Sequence, residues 1–311
     1  MDRSAPIVPP SLRPGDAVAV AGPSGVVEGR RLEAGIRYLR GKGHPVQIAP
    51  HVSARHGYLA GEDELRAGDL NDIIAGDAAR GVFFARGGYG LTRILDRLDI
   101  EGLRRRPRLI VGYSDMTALA MSLQCKGPYH FLYGPLVSEM GDPGAFDEAS
   151  LWNALYGAPA AYTVPFRSAD VLRKGRGVGP MIGGCLTLLV SLLGTPHDPD
   201  YRDAILFWEE IGEEPYRIDR MLTQLRNAGK FDHLRGMVIG SLTRCEPPRG
   251  APSLRIKQVV LELVQWASFP VIWNVRAGHV GDKITLPLGL EASLNTTRRS
   301  IRFRLPRARR A

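Results

Sequence analysis

Cysteine is scarce in this chain: Cys125, Cys185 and Cys245 are the only three among 311 residues. They lie far apart, are odd in number and show no paired spacing, which argues against a disulfide framework and against a zinc ribbon. No apolar run approaches the roughly 18 residues that a membrane-spanning helix needs. The opening Met1-Asp-Arg-Ser-Ala-Pro6 lacks the apolar stretch of a signal peptide. Aromatic residues are 7% of the chain, and none interleave with basic residues as a stacking platform for nucleic acid would require. No internal repeat or low-complexity tract stands out. What remains is ordinary globular composition, 44% apolar and 23% charged. The expectation is a cytoplasmic protein with neither a membrane nor a nucleic acid as partner.

The net charge of +9 comes mainly from arginine, at Arg104-Arg-Arg106, Arg298-Arg299 and Arg307-Ala-Arg-Arg310. Without a recognition motif, these clusters read as solvated surface. The length suggests two domains. Strand-like and helix-like segments alternate through the first half. Strands are expected at 17–21, 46–48, 81–84 and 109–111, with helices at 29–42, 62–75 and 91–98. Repeated β-then-α units of this length predict a parallel sheet wrapped by helices. A stretch with Pro, Gly and basic residues but little periodicity reads as a linker at 159–180, separating residues 1–158 from 181–311. The second part is expected to hold helices at 184–193, 215–228 and 254–266. Its strands are expected at 204–208, 237–240, 271–273, 283–286 and 300–304, which leaves its end β-rich.

In parallel sheets, ligands bind beyond the carboxyl ends of the strands. Three glycine-containing corners fall there: Ala21-Gly-Pro-Ser-Gly25, Arg86-Gly-Gly-Tyr-Gly90 and Gly112-Tyr-Ser-Asp115. The last joins an apolar strand to an apolar stretch at helical spacing. Such a corner can present the Ser114 hydroxyl beside the first helical N–H groups, as serine hydrolases do. It can equally make Ser114 a helix N-cap, with Asp115 favourable in the first turn. The usual second glycine of the elbow is absent, since Met116 stands there.

A nucleophile needs a base and an orienting acid. Among seven histidines, His279 sits in the glycine-flanked loop Arg276-Ala-Gly-His-Val-Gly281 after a buried strand, where the backbone can enter a crowded site. A structural loop histidine would look the same. His197, in His-Asp-Pro-Asp200, could suggest a metal site, but a turn explains that cluster and no compact ligand set accompanies it. The apolar strand ending at Trp208 runs into Glu209-Glu210. Adjacent strand side chains point to opposite faces, so one of the pair can serve the site. Solvation at the strand end, or pairing with Arg217 or Arg220, is the competing reading. The natural oxyanion donors are the Asp115 N–H and one from the Gly87-Gly88 corner, taken at Gly88. Gly175-Arg-Gly-Val-Gly179 could hint at a phosphate cradle in a non-catalytic nucleotide-binding protein, but no Gly-Lys-Ser/Thr follows it.

These residues together resemble the LD-carboxypeptidases (muramoyltetrapeptide carboxypeptidases) and their relatives, the microcin C immunity hydrolases. The likeness runs through Leu12-Arg-Pro-Gly-Asp16, Tyr58-Leu-Ala-Gly61, Arg86-Gly-Gly-Tyr-Gly90 and Gly112-Tyr-Ser-Asp115. It continues in Gly183-Gly184, Glu209-Glu210, Pro215-Tyr-Arg-Ile-Asp219, Gly278-His279 and Leu286-Pro-Leu-Gly289. The resemblance implies a flavodoxin-like N-terminal domain carrying Ser114 and a smaller β-rich α/β C-terminal domain carrying Glu209 and His279. Those three residues would form a Ser–Glu–His triad in the cleft between the domains. It further implies a homodimer acting without cofactor or metal on a murein-derived tetrapeptide, removing terminal D-Ala from an L-centre of diaminopimelate or Lys. The nearest rival is a hydrolase of aminoacyl-nucleotide conjugates, whose known members tend to be longer. A binding protein without catalysis is more remote. Two positions depart from the family pattern: Cys185, where Asn is common, and Tyr133, where His is common. Neither is expected to touch the triad.

Overall fold

The computed structural model describes residues 6–157, 161–167 and 170–304. The expected domain boundary at 158–159 and the basic tail Arg307–Arg310 lie outside the described residues. The first half runs β1 (Val18–Ala21), α1 (Gly29–Gly41), β2 (Val46–Ile48), α2 (Asp63–Ala75), β3 (Gly81–Phe84), α3 (Ile100–Arg105), β4 (Leu109–Gly112), α4 (Thr117–Gln124), β5 (Phe131–Tyr133) and α5 (Glu148–Tyr156). The second runs β6 (Ala161–Pro165), β7 (Val171–Arg173), β8 (Arg176–Cys185), α6 (Leu186–Ser191), β9 (Ile205–Ile211), α7 (Pro215–Asn227), β10 (Gly236–Thr243) and α8 (Ile256–Leu263). It closes with β11 (Val271–Ile272), β12 (Leu286–Leu288), β13 (Glu291–Asn295) and β14 (Ser300–Arg304).

Strands β1, β3 and β4 are buried along their whole length, as expected of a parallel sheet covered on both faces. The strand order is β12-β5-β4-β3-β1-β2. The five strands of the first half are parallel in the flavodoxin-like 2-1-3-4-5 order. Alternation along each strand sorts residues between two cores. Val18, Val20 and Phe83 pack with Leu32 and Ile36 of α1 and Leu151 of α5. Ala19, Val82 and Phe84 pack with Ile73 of α2 and Leu119 of α4.

The second sheet, β6-β14-β13-β8-β9-β10-β11-β7, has a parallel centre from β8 to β11 and antiparallel edges. Helices α6, α7 and α8 make its crossovers. Phe207 and Trp208 of β9 and Leu186 of α6 belong to the same buried cluster as α4, so one hydrophobic core runs through the domain interface. Strand β12 tightens the join, crossing back to pair antiparallel with β5 (Leu286↔Tyr133).

Three expectations need correction. The range 159–180 is no structureless linker: it holds β6, β7 and the start of β8. The helix expected at 91–98 is two 3-10 turns, Leu91–Arg93 and Leu95–Arg97, interrupted at Ile94 (φ −118°, ψ 0°). The strand expected at 283–286 is shifted to Leu286–Leu288, where it pairs with β5, while Lys283 makes a separate bridge to Phe146. Most of Gly175–Gly179, set aside above as a phosphate cradle, lies within β8 and pairs with β13. Among the described residues, no helix is long and apolar enough to cross a membrane.

Candidate active site at the domain interface

The corner after β4 and the end of β5 meet β9 of the second sheet. After β4, Tyr113 is extended (φ −145°) and Ser114 turns into the left-handed region at φ 65°. A non-glycine residue there costs about 1–3 kcal/mol and persists only where surrounding structure enforces it. The N-cap reading is not what the structure adopts, because Tyr113 occupies the cap and no side chain caps the turn. The Ser114 hydroxyl instead faces His279, whose Nε2 lies 3.1 Å from its Oγ.

His279 Nδ1 lies 2.8 Å from Glu209 Oε2, and the His279 backbone N–H donates to the same oxygen at 3.0 Å. A carboxylate only accepts, so the proton sits on Nδ1 and Nε2 is left to accept from the serine. The preceding Gly278 has φ +98°, and a Cβ there would overlap the Glu209 carboxylate. That close approach requires glycine. Glu209 and Glu210 lie within β9 rather than beyond its end, and both are buried. They face opposite ways. Glu210 Oε2 accepts from the Thr187 N–H and hydroxyl, both at 2.8 Å, at the start of α6. Burial nonetheless pushes the Glu210 carboxyl above its ordinary range. Neither acid pairs with Arg217 or Arg220; Arg217 meets Glu213, and Arg220 lies over the Tyr216 ring.

Tyr133, expected to stand clear of these groups, touches two of them. Its hydroxyl donates to Glu209 Oε1 at 2.7 Å and accepts from the Ser114 N–H at 3.3 Å. Burial and the neighbouring Glu209 charge push this phenol well above its ordinary range, so it remains a donor. Cys185 is the β8 neighbour of Glu209 in the sheet, but its thiol turns to Glu210 Oε1 at 3.6 Å. Burial and the two glutamates raise that thiol, and it is no thiolate nucleophile. The strand rule could have pointed to Tyr133, which ends β5 beside β4 on the ligand-binding edge.

Because the Ser114 N–H is turned toward Tyr133, the next amide, that of Asp115, is the first one available beside the hydroxyl. Across from it, Gly87 packs so closely that a Cβ would stand 3.1 Å from Ser114 Oγ. The neighbouring Gly88 has φ +99°. Among the described residues, neither the Asp115 nor the Gly88 N–H meets a protein acceptor. The Asp115 side chain has a separate task that its sequence position did not reveal. Its Oδ2 accepts from the Ser24 hydroxyl at 2.5 Å and the Leu91 N–H at 2.8 Å, tying the corners after β1 and β3 to the one after β4. Burial raises this carboxyl, while those two donors oppose the rise. Arg66, fully buried, reinforces the corners after β1 and β3 by donating to the carbonyls of Pro23 and Gly90, and it also holds the Gly61 carbonyl ahead of α2.

Tyr113 packs edge-on against the His279 ring at 4.8 Å, and its hydroxyl donates to Glu139 Oε1 at 2.7 Å. Lys283 reaches the same oxygen at 2.9 Å. Of the other histidines, His197 bridges Ser122 and Asp96, and His51 pairs with Asp69. No group of three or more potential metal ligands exists among the described residues.

Residues 18–134 match the LD-carboxypeptidase N-terminal domain and residues 178–294 the LD-carboxypeptidase C-terminal domain. A probable murein peptide carboxypeptidase of Bacillus subtilis is 32% identical over 94% of this chain and 92% of its own. The crystal structure of a muramoyltetrapeptide carboxypeptidase from Oxalobacter formigenes superposes with a TM-score of 0.84 at 30% identity, covering 92% of this chain and 97% of that one. The microcin C7 self-immunity protein MccF, in complex with glutamyl sulfamoyl guanosine, shares the fold at a TM-score of 0.88 and 22% identity, over 96% and 98% of the two chains. With both domains matched in order and the relatives aligned nearly end to end, the chain belongs to the LD-carboxypeptidase family.

Proposed function

We propose that the protein is a serine-type LD-carboxypeptidase that removes terminal D-Ala from the L-centre of diaminopimelate or Lys in murein tetrapeptide, as part of peptidoglycan recycling. One observation carries the reading: the unbroken run from Ser114 Oγ through the His279 ring to Glu209 Oε2, at 3.1 and 2.8 Å, in a chain of this family. Ser114 attacks the scissile carbonyl while His279 Nε2 takes its proton. Glu209 holds the imidazole in the required tautomer and stabilises the imidazolium. The Asp115 and Gly88 N–H groups stabilise the oxyanion, each such donor being worth about 2.7–4 kcal/mol in comparable enzymes. His279 then protonates the amine of departing D-Ala. Water, deprotonated by the same ring, releases the acyl group from Ser114. No step calls for a metal or organic cofactor. A homodimer, supported by the family resemblance, and a cytoplasmic location, supported by the composition, belong to the same reading.

The alternative is hydrolysis of an aminoacyl-nucleotide conjugate, supported by the shared fold with MccF, whose structure holds glutamyl sulfamoyl guanosine. Offering the purified protein both substrates separates the two. D-Ala release from the tetrapeptide is the expected result. Turnover confined to the conjugate would replace the murein peptide as substrate while keeping the same three residues.

A further inference from the structure

We infer that Tyr133 is a positioning residue of this site, its hydroxyl holding the nucleophile's backbone and the orienting acid in one register across the domain interface. The inference rests on the proposed Ser114–His279–Glu209 chemistry. Tyr133 ends β5 in the first domain, whereas Glu209 lies on β9 in the second. One oxygen therefore meets both halves of the site, donating to Glu209 Oε1 at 2.7 Å and accepting from the Ser114 N–H at 3.3 Å. The ring is set by edge-to-face contacts with Phe207 at 5.2 Å and with Tyr113 at 6.0 Å. Phe207 is two residues before Glu209 on the same strand and shares its face. The same packing thus aligns the hydroxyl with the acid.

The two carboxylate oxygens divide the work. Oε2 takes both the ring and backbone N–H of His279, and Oε1 takes Tyr133. Glu209 is wholly buried, so losing Tyr133 leaves Oε1 with neither a protein donor nor bulk water. Negative charge then concentrates on Oε2, and the imidazolium form of His279 is held more strongly. At the same time, Ser114 loses an anchor for its strained backbone. A core tyrosine that only fills space would have neither effect.

The test compares wild type with Tyr133→Phe, which keeps the ring and removes the hydroxyl. Expected are a fall in kcat of about tenfold or more, KM within about twofold, and an acid limb of kcat/KM displaced upward by about half a pH unit. The low-field proton resonance of the His279 Nδ1–H bond should move as well, and this signal needs no substrate. Replacing Tyr133 with 3-fluorotyrosine, a more acidic donor that keeps the fold-bearing ring, should displace the acid limb downward. Unchanged kcat, acid limb and resonance in both variants would overturn the inference, as would a change confined to KM and thermal stability. Wild-type protein that releases no D-Ala would count against the proposed substrate, while the resonance would still decide the role of Tyr133.

Discussion

At the scale of single residues, the proposed chemistry turns on one of two adjacent acids that look interchangeable in the sequence. Strand alternation sends the Glu209 side chain to His279 and the Glu210 side chain to Thr187. Glu209→Gln should therefore lower kcat by about 10⁴-fold, because an amide does not hold the imidazole in its working tautomer. Glu210→Gln should leave kcat within about tenfold, as it touches no proposed reacting group. Comparable losses in both variants, measured as D-Ala release, would show that the orienting acid was assigned wrongly. As members of the proposed site, Ser114, His279 and the Glu209-Glu210 pair stand out by residue type at strand ends. Choosing Glu209, and weighing a nucleophile above a cap, needed the family resemblance. Tyr133 stands out only as a departure from the family pattern, because a buried strand-end tyrosine carries no sign of its partner 76 residues away.

At the scale of elements, the corners after β1, β3 and β4 work as one unit because buried polar side chains fasten them together. Arg66 supplies three carbonyl contacts and pairs with Asp63. Removing it strands those carbonyls without water. Arg66→Met should cost about 3–5 kcal/mol of unfolding free energy and depress kcat/KM with it, since the Gly87-Gly88 corner would lose its brace. Denaturant unfolding at unchanged midpoint would contradict this. The alternating strands and helices of the first half were readable because their apolar periodicity is strong. Strand β8 was hidden inside an apparent linker for a physical reason. Its inward positions Gly177 and Gly179 press against the carbonyls of Arg235 and Asp203, where any Cβ would overlap. Glycine stands where the pattern would otherwise show apolar residues. The 91–98 segment misled in the opposite sense, with helical spacing but two 3-10 turns broken at Ile94, where the backbone leaves helical geometry.

At the scale of the whole molecule, the two sheets share one core and the proposed site lies across their seam. Titration of a single buried ring also ties the stability of the whole to pH. His130 is enclosed beside β5 with no hydrogen-bond partner at either ring nitrogen among the described residues. Burial lowers its pKa from 6.5 to about 4. Below pH 6.5 the unfolded chain binds a proton that the folded chain refuses, so this contribution to stability is lost as pH falls from 6.5 toward 4. The loss approaches about 3 kcal/mol. His130→Leu should flatten that part of the stability-versus-pH curve, and an unchanged slope in the variant would contradict the assignment.

The site as a whole is tested most directly by the rate of D-Ala release from murein tetrapeptide in wild type and in Ser114→Ala. The expected result is ready release by wild type and a fall of about 10⁴-fold or more in the variant, with the fold intact by circular dichroism. Release that persists in Ser114→Ala at the wild-type rate would remove Ser114 as the nucleophile, and with it the inter-domain mechanism.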